Sequence, residues 1–211
     1  RQSGFTLIEL IVVIIILGIL AATAAGFFSG AVISGLGVPP FLATLATMLV
    51  VRGTTLEWTG GESIAALPDG FVWLGRGNIG PIPVAMALMV ILYGVFHIMM
   101  TRSVVGRYWL AIGGNPVVAR LAGIPVNATV IAAYAVSGAL AGLGGILLTS
   151  QLRNASPTYG DGYELTVIAA VVVGGTSLFG GRGGIGNTII GLLVLGVVNN
   201  GLDHIQIDSF L

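Results

Sequence analysis

The chain has 211 residues, of which 55% are hydrophobic and 8% are charged, and its formal net charge is zero. Soluble domains carry about 25% charged residues, so a surface this apolar requires lipid as its solvent. Cysteine is absent, which excludes disulfides, and lysine is absent too, which excludes a P-loop lysine for ATP hydrolysis. With no net charge, nucleic acid is not expected as a partner. The composition predicts an integral membrane protein.

Hydrophobic runs of about 20 residues indicate membrane helices. They predict an all-α integral membrane protein with about six hydrophobic helices or half-helices. In chain order the runs lie at residues 5–25, 40–51 with flanks, 82–100, 126–149, 165–174 and 185–198. The second and fifth runs are short for a full span, so each either extends into its loop or is a half-helix packed inside protein.

Arginine is distributed unevenly over the polar segments between these runs. Residues 102–125 contain Arg102, Arg107 and Arg120 and no acid, so the positive-inside rule places that segment in the cytoplasm. The acid-containing segments 52–80 and 151–164 then lie outside. The short turn at residues 177–184 is predicted to be cytoplasmic again.

Motifs for chemistry are weak. Residues 181–186 fit G-x-G-x-x-G, but a dinucleotide site needs a soluble strand–turn–helix, and a tight turn between two apolar runs is the better interpretation. His97 and His204 have no partner at a metal-binding spacing, and no nucleophile–base pair is visible. We therefore expect no enzyme activity, no catalytic residue, no cofactor and no metal. Gly138 and Gly142 form a G-x-x-x-G pattern, which indicates helix packing.

A series of short motifs runs through most of the chain in a fixed order. They lie at residues 38–48, 52–53, 106–108, 111–115, 119–124, 163–165, 169–171, 174–178, 180–183 and 198–202. In this order they resemble the ribose-type ABC permeases, the membrane subunits that import monosaccharides, over about residues 26–211. The resemblance implies a multi-pass protein of the bacterial inner membrane and leaves the sugar unidentified.

The same resemblance implies partners and a site. Such permeases pair with a second permease subunit as a homodimer in the bilayer. Two cytoplasmic ATP-binding subunits drive them, and a periplasmic sugar-binding protein feeds them. Residues 106–124 resemble the cytoplasmic segment that couples the permease to the ATPase, although an ordinary positive-inside loop is the alternative. The residues of this candidate coupling segment are Gly106, Arg107, Gly113, Gly114, Asn115, Arg120 and Gly123. The outer segments 57–80 and 153–164 are expected to face the binding protein.

The first 25 residues differ from the rest of the chain. Residues 4–13 resemble the type IV prepilin signature, which implies cleavage between Gly4 and Phe5, methylation of Phe5 and a role for Glu9 in filament assembly. A carboxylate is costly in lipid, and pairing with a neighbouring subunit's amine would give Glu9 a purpose. The chain therefore divides into a prepilin-like helix at 1–25 and a partial permease domain at 26–211.

The two resemblances conflict over topology. A pilin helix runs from the cytoplasm outward, whereas the permease body needs the chain back inside by about residue 39. Either the helix breaks near residues 26–30, or the N-terminus is outside, where no prepilin peptidase works. The alternatives to a permease are a pilin-like filament protein and an inactive chimeric membrane protein. A pilin would continue into a soluble β-rich head, which residues 26–211 do not offer, so the permease is favoured.

Overall fold

The structure, a computed structural model, describes residues 7–65 and 67–204. Within these residues the helices are α1 (Leu7–Leu36), α2 (Pro40–Thr59), α3 (Asp69–Arg76), α4 (Val84–Arg102), α5 (Val104–Gly114), α6 (Pro116–Leu121), α7 (Val126–Leu152), α8 (Tyr163–Val173) and α9 (Ile185–His204). The strands have two residues each: β1 (Ile64–Ala65), β2 (Asn78–Ile79), β3 (Ile82–Pro83) and β4 (Asn154–Ala155). The predicted all-α membrane fold is confirmed.

The six predicted apolar runs correspond to α1, α2, α4, α7, α8 and α9. Among the described residues, α1, α4, α7 and α9 are long and apolar enough to cross a membrane. Large apolar side chains along these helices are exposed, as expected for surfaces that face lipid. The second run extends into its loop, giving a 20-residue α2, whereas α8 has 11 residues and stays a half-helix of about 16 Å.

The chain forms two compact units, one of Arg1–Ile91 with Asn127–Tyr159 and the other of Leu92–Val126 with Gly160–Leu211. In the first unit, α1 and α2 form an antiparallel hairpin. Pro40 occupies the first turn of α2, where its missing N–H costs nothing. The Ser29 hydroxyl donates to Thr47 Oγ1 at 3.0 Å, so a polar contact joins the two apolar helices.

Small residues at intervals of four bring α1 against α7. Gly18, Ala22, Gly26 and Gly30 share one face of α1, and that face meets Tyr134, Gly138, Gly142 and Ile146 of α7. The contacts run in opposite directions along the two helices, so the pair is antiparallel. A Cβ on Gly138 would collide with the Ala22 carbonyl and stand 3.2 Å from Gly26 Cα. The predicted packing role of the G-x-x-x-G pattern is confirmed.

This packing also explains why α1 does not break near residues 26–30. Both glycines lie inside a continuous helix of 30 residues, where their missing side chains let α7 approach. At 1.5 Å per residue α1 is about 45 Å long, more than the roughly 30 Å of a bilayer core. Of the two solutions to the topological conflict, the broken helix is wrong.

At one end of the first unit, α3 and both of the predicted outer segments are joined to α7. Ser150 is fully buried, and its hydroxyl accepts from the Gly75 N–H at 2.7 Å and donates to the Phe71 carbonyl at 2.7 Å. Strands β1 and β4 pair antiparallel, with Ile64 opposite Ala155. The N-terminal end of α1 lies at the same place, because a Cβ on Gly70 of α3 would stand 2.9 Å from Ile11 Cδ1.

In the second unit, α8 and α9 pack closely. A Cβ on Gly191 of α9 would stand 2.6 Å from the Gly174 nitrogen and would collide with the Ala170 carbonyl oxygen. One on Gly174, the residue after α8, would be 2.8 Å from the carbonyl carbon of Asn187. The half-helix α8 is therefore held along the N-terminal half of α9, and residues 174–184 form the turn between them.

Candidate functional site

The candidate coupling segment begins at a corner where α4 ends and α5 folds back. Ser103 caps α5: its hydroxyl accepts from the Gly106 N–H at 3.2 Å and donates to the Met99 carbonyl at 2.6 Å. Gly106 is buried in this corner, and a Cβ there would stand 2.6 Å from Met100 Cα. Only glycine fits, so the direction of α5 relative to the end of α4 is fixed locally.

Asn115 separates α5 from α6. Its backbone is extended, with φ −161° and ψ 108°, and it is both the last cap of α5 and the first cap of α6. Its side-chain Oδ1 accepts from the Val117 and Val118 N–H groups at 2.9 and 3.2 Å. Pro116 takes the first position of α6, where a proline is preorganised for a helix. The break between the two helices thus lies at Asn115, directly after Gly113 and Gly114 at the end of α5.

The segment ends at Gly123, whose φ of +83° lies in the region that favours glycine. The Gly123 N–H bonds the Arg120 carbonyl at 3.0 Å, and the Ile124 N–H bonds the Ala119 carbonyl at 3.1 Å. Arg107 and Arg120 are exposed, whereas Ala119 is 3% exposed. The segment therefore consists of two short helices with exposed arginines and with Ala119 buried on the other side of α6.

Residues 177–184 lie against the end of α5, a contact that sequence reasoning missed. A Cβ on Gly113 would stand 2.6 Å from the Gly181 nitrogen, and one on Gly180 would stand 2.9 Å from Gly113 Cα. Beside this contact the turn, α5 and the end of α4 enclose a cleft of about 280 Å³, with Trp109 and Arg182 in its walls. The feature of the sequence that could have indicated this contact is the high glycine content at the end of α5 and in residues 177–184.

The G-x-G-x-x-G pattern at residues 181–186 forms part of this turn and of the first turn of α9. It follows α8 rather than a strand, so the predicted turn between two apolar helices is confirmed. Across residues 7–65 and 67–204, no group of three or more potential ligands could hold a metal ion. Gly4 and Phe5 of the prepilin-like motif lie outside the described residues, and Glu9 lies exposed in the first turn of α1.

The model of the family described as "Branched-chain amino acid transport system / permease component" matches residues 3–209, which includes most of the prepilin-like segment. No support for the prepilin resemblance comes from this match. No solved structure gives a significant match.

Curated relatives are sugar permeases by name. The ribose import permease protein RbsC of Bacillus subtilis is 44% identical over 201 residues, which are 94% of this chain and 62% of the relative. RbsC of Escherichia coli K12 is 41% identical over 89% of this chain and 60% of its own length. The D-allose transport system permease protein AlsC of the same bacterium is 36% identical over 92% of this chain and 59% of its own length. The chain thus spans less than two thirds of these relatives.

The family match and the structure agree. A family of transport permease components is not one of enzymes, and four apolar helices among the described residues fit a multi-pass protein of the bacterial inner membrane. The family model covers nearly the whole chain, and the motifs that led to the permease resemblance lie inside the matched region. The chain belongs to the family of branched-chain amino acid transport system permease components.

Proposed function

We propose that this chain is the transmembrane permease subunit, or a part of it, of a bacterial ABC importer for a monosaccharide such as ribose. The observation that carries the proposal is the 44% identity to a ribose import permease along 94% of the chain. Relatives whose names specify D-allose and L-arabinose are 36 and 38% identical. A sugar is therefore favoured over the amino acids in the family description.

The candidate coupling segment is the part that would meet the cytoplasmic ATP-binding subunits. Exposed Arg107 and Arg120 give it a positive surface, and α6 exposes Val117, Val118 and Leu121 at 66, 58 and 84%. Exposed apolar residues rimmed by arginine are typical of a protein interface. Since Asn115 and Gly123 bound α6 on both sides, it can move as a short rigid element.

In the first unit, the end that carries α3, β1 and β4 would receive the periplasmic sugar-binding protein. The pairing of β1 with β4 and the hydrogen bonds of Ser150 make the two outer segments one connected surface. Trp58 is 89% exposed beside it, and Glu62 and Asp69 bring negative charge. A second copy of the permease would complete the transport path, as in the ribose-type permeases that the chain resembles.

Reconstitution with the cognate ATP-binding and sugar-binding subunits tests the coupling role. Arg107→Ala and Arg120→Ala should weaken binding of the ATP-binding subunit and lower sugar-stimulated hydrolysis, without reducing membrane insertion. Arg76→Ala, at the end of α3 in the outer surface, serves as the matched control. If both arginine variants bind and stimulate the ATPase like the unaltered chain, residues 106–124 are only a positive-inside loop. Radiolabelled ribose uptake separates a working permease from an inactive chimeric protein.

The prepilin-like motif is proposed to be a sequence likeness without processing. Because α7 follows the arginine-bearing cytoplasmic segment, it runs outward, and its antiparallel partner α1 then starts outside. The contact of Ile11 with α3 at the outer surface supports the same direction. Gly4 would then face away from the cytoplasm, where a prepilin peptidase has no access.

Co-expression with a prepilin peptidase tests this orientation. The expected product keeps Arg1 and stays in the membrane fraction. A methylated Phe5 in filaments sheared from the cells would establish the pilin-like alternative instead. The division of the chain at residue 25 stays a prediction. Replacing residues 1–25 by the matching segment of a ribose permease would show whether the two segments are interchangeable.

A further inference from the structure

We propose that residues 177–184, here called the glycine turn, form a second part of the docking surface for the ATP-binding subunit. In this proposal the contact of Gly113 with Gly181 fixes the glycine turn to the coupling segment. The inference rests on the proposed function, because it assigns a further element to the interface already proposed for residues 106–124.

The contact between the two parts is made by backbone alone. A Cβ on Gly113 would stand 2.6 Å from the Gly181 nitrogen, and one on Gly181 would stand 2.8 Å from Gly114 Cα. Real Cβ atoms do not approach so closely, so each residue must remain glycine or the two segments must separate. Gly181 also has φ +73°, which strains any side chain. The attachment is therefore close and intolerant of change.

Hydrogen bonds within the glycine turn close its base and leave the side chains at its tip exposed. The Ser177 N–H bonds the Arg182 carbonyl at 3.0 Å, and the Phe179 N–H bonds the Ser177 hydroxyl at 3.2 Å. These bonds close the base of the loop and leave Leu178 and Phe179 at its tip, 70 and 97% exposed. An aromatic ring held so far out has no packing role within its own unit.

Lipid is a poor partner for this tip. Irregular backbone exposed to lipid does not occur within the hydrocarbon region, because its N–H and C=O groups would lose water without gaining partners. The glycine turn is irregular and contacts the arginine-bearing segment, so it lies on the aqueous cytoplasmic side. An exposed phenylalanine and leucine in water indicate a protein interface.

The partner that fits is the ATP-binding subunit proposed for α6. Both parts present the same chemistry, an exposed apolar side chain followed or preceded closely in the chain by an exposed arginine: Leu121 comes directly after Arg120, and Phe179 comes three residues before Arg182. The Gly113 contact lies two residues before Asn115, so it connects the glycine turn to the start of α6. Behind the turn, the close packing of Gly174 and Gly191 continues into α8 and α9. A movement of the docked subunit would thus reach α8 and α9 through the turn.

Two variants with matched controls test the proposal in the reconstituted complex. Phe179→Ala should weaken binding of the ATP-binding subunit by about 30-fold, the size of an interface hot spot. The control is Phe41→Ala, an aromatic residue 71% exposed at the start of α2. Gly113→Ala should lower sugar-stimulated hydrolysis at least about tenfold, whereas Gly186→Ala, where a Cβ meets nothing within 4 Å, should not.

The outcomes separate this inference from the proposed function. If Arg107→Ala weakens binding but Phe179→Ala does not, the glycine turn is not part of the dock and only this inference fails. If neither variant weakens binding, the proposed coupling role fails as well. If Phe179→Ala weakens binding and Gly113→Ala leaves stimulation intact, the glycine contact does not fix the two parts. Since Phe179 is almost fully exposed, its variant is expected to fold.

Discussion

Replacing Gly138 by alanine should drive α1 and α7 apart. The new Cβ would collide with the Ala22 carbonyl oxygen and would stand 3.1 Å from the carbonyl carbon and 3.2 Å from Gly26 Cα. Carbon atoms pack best at about 3.5–4.0 Å, so the helices must separate by several tenths of an ångström. Overpacking of this kind costs about 1–3 kcal/mol, a change of about 5- to 150-fold in the unfolding equilibrium.

A control on the same helix isolates the clash from helix propensity. Gly144 of α7 also lies within the helix, but a Cβ there meets nothing within 4 Å. Alanine is a better helix former than glycine by about 1 kcal/mol at either position, so Gly144→Ala should stabilise the protein, whereas in Gly138→Ala the clash offsets this gain. The free energies of unfolding of the two variants should therefore differ by about 1–3 kcal/mol, the cost of the clash.

Unfolding by a denaturing detergent, followed by tryptophan fluorescence in mixed micelles, measures these changes. Adding Gly26→Ala to Gly138→Ala should cost less than the sum of the single changes, because separation of the helices relieves both clashes. Equal stability of the Gly138 and Gly144 variants would refute the packing of α1 on α7. That result would also remove one of the two arguments for an external N-terminus and leave only the contact of Ile11 with α3.

Three further predictions follow from the described contacts. Ser150→Ala leaves the buried Gly75 N–H without its acceptor and should lower the free energy of unfolding by about 1–3 kcal/mol, measured by detergent denaturation; an unchanged value would contradict the role of this bond. Single cysteines at Leu121 and Ser63 should react with an impermeant thiol reagent from opposite sides of the membrane, an assay that the cysteine-free chain makes clean; labelling from one side would overturn the topology. Asn115→Ala removes the cap of α6 and should lower the stability of that helix by about 0.5–2 kcal/mol and reduce stimulation of the ATPase. Asn115→Asp keeps a hydrogen-bond acceptor at this position and should stimulate the ATPase like the unaltered chain.

The sequence predicted the membrane helices well because their signal is local. Runs of apolar residues and the arginines at 102–120 are visible without any knowledge of contacts, and the structure bears out the six helices. The ends of the helices were harder to predict from the sequence. Helix α1 continues past residue 25 to Leu36, because the glycines that suggested a break pack against α7, which is distant in the sequence. The difference between a breaking and a packing glycine depends on tertiary partners.

In the candidate site, too, local features could be predicted from the sequence and long-range contacts could not. Asn115 before Pro116 is a cap followed by a helix-starting proline, and such a pattern is readable from neighbours in the chain. The contact of Gly113 with Gly181 joins residues 68 positions apart, and Ser150 bonds Gly75 from a comparable distance. A single sequence carries no signal for such pairs, because glycine and serine are common for many reasons.

The antiparallel contact of α1 with α7 has a consequence for biogenesis. The Ser34 hydroxyl bonds the Asn127 carbonyl at 3.5 Å across a sequence separation of 93 residues. At a synthesis rate of about 5–20 residues per second, α1 waits in the bilayer for about 5–20 s before α7 emerges. During that interval its small-residue face is open to any other helix with a matching face. Insertion of this chain should therefore be sensitive to the translation rate between residues 37 and 126 and to helper proteins that shield a lone membrane helix.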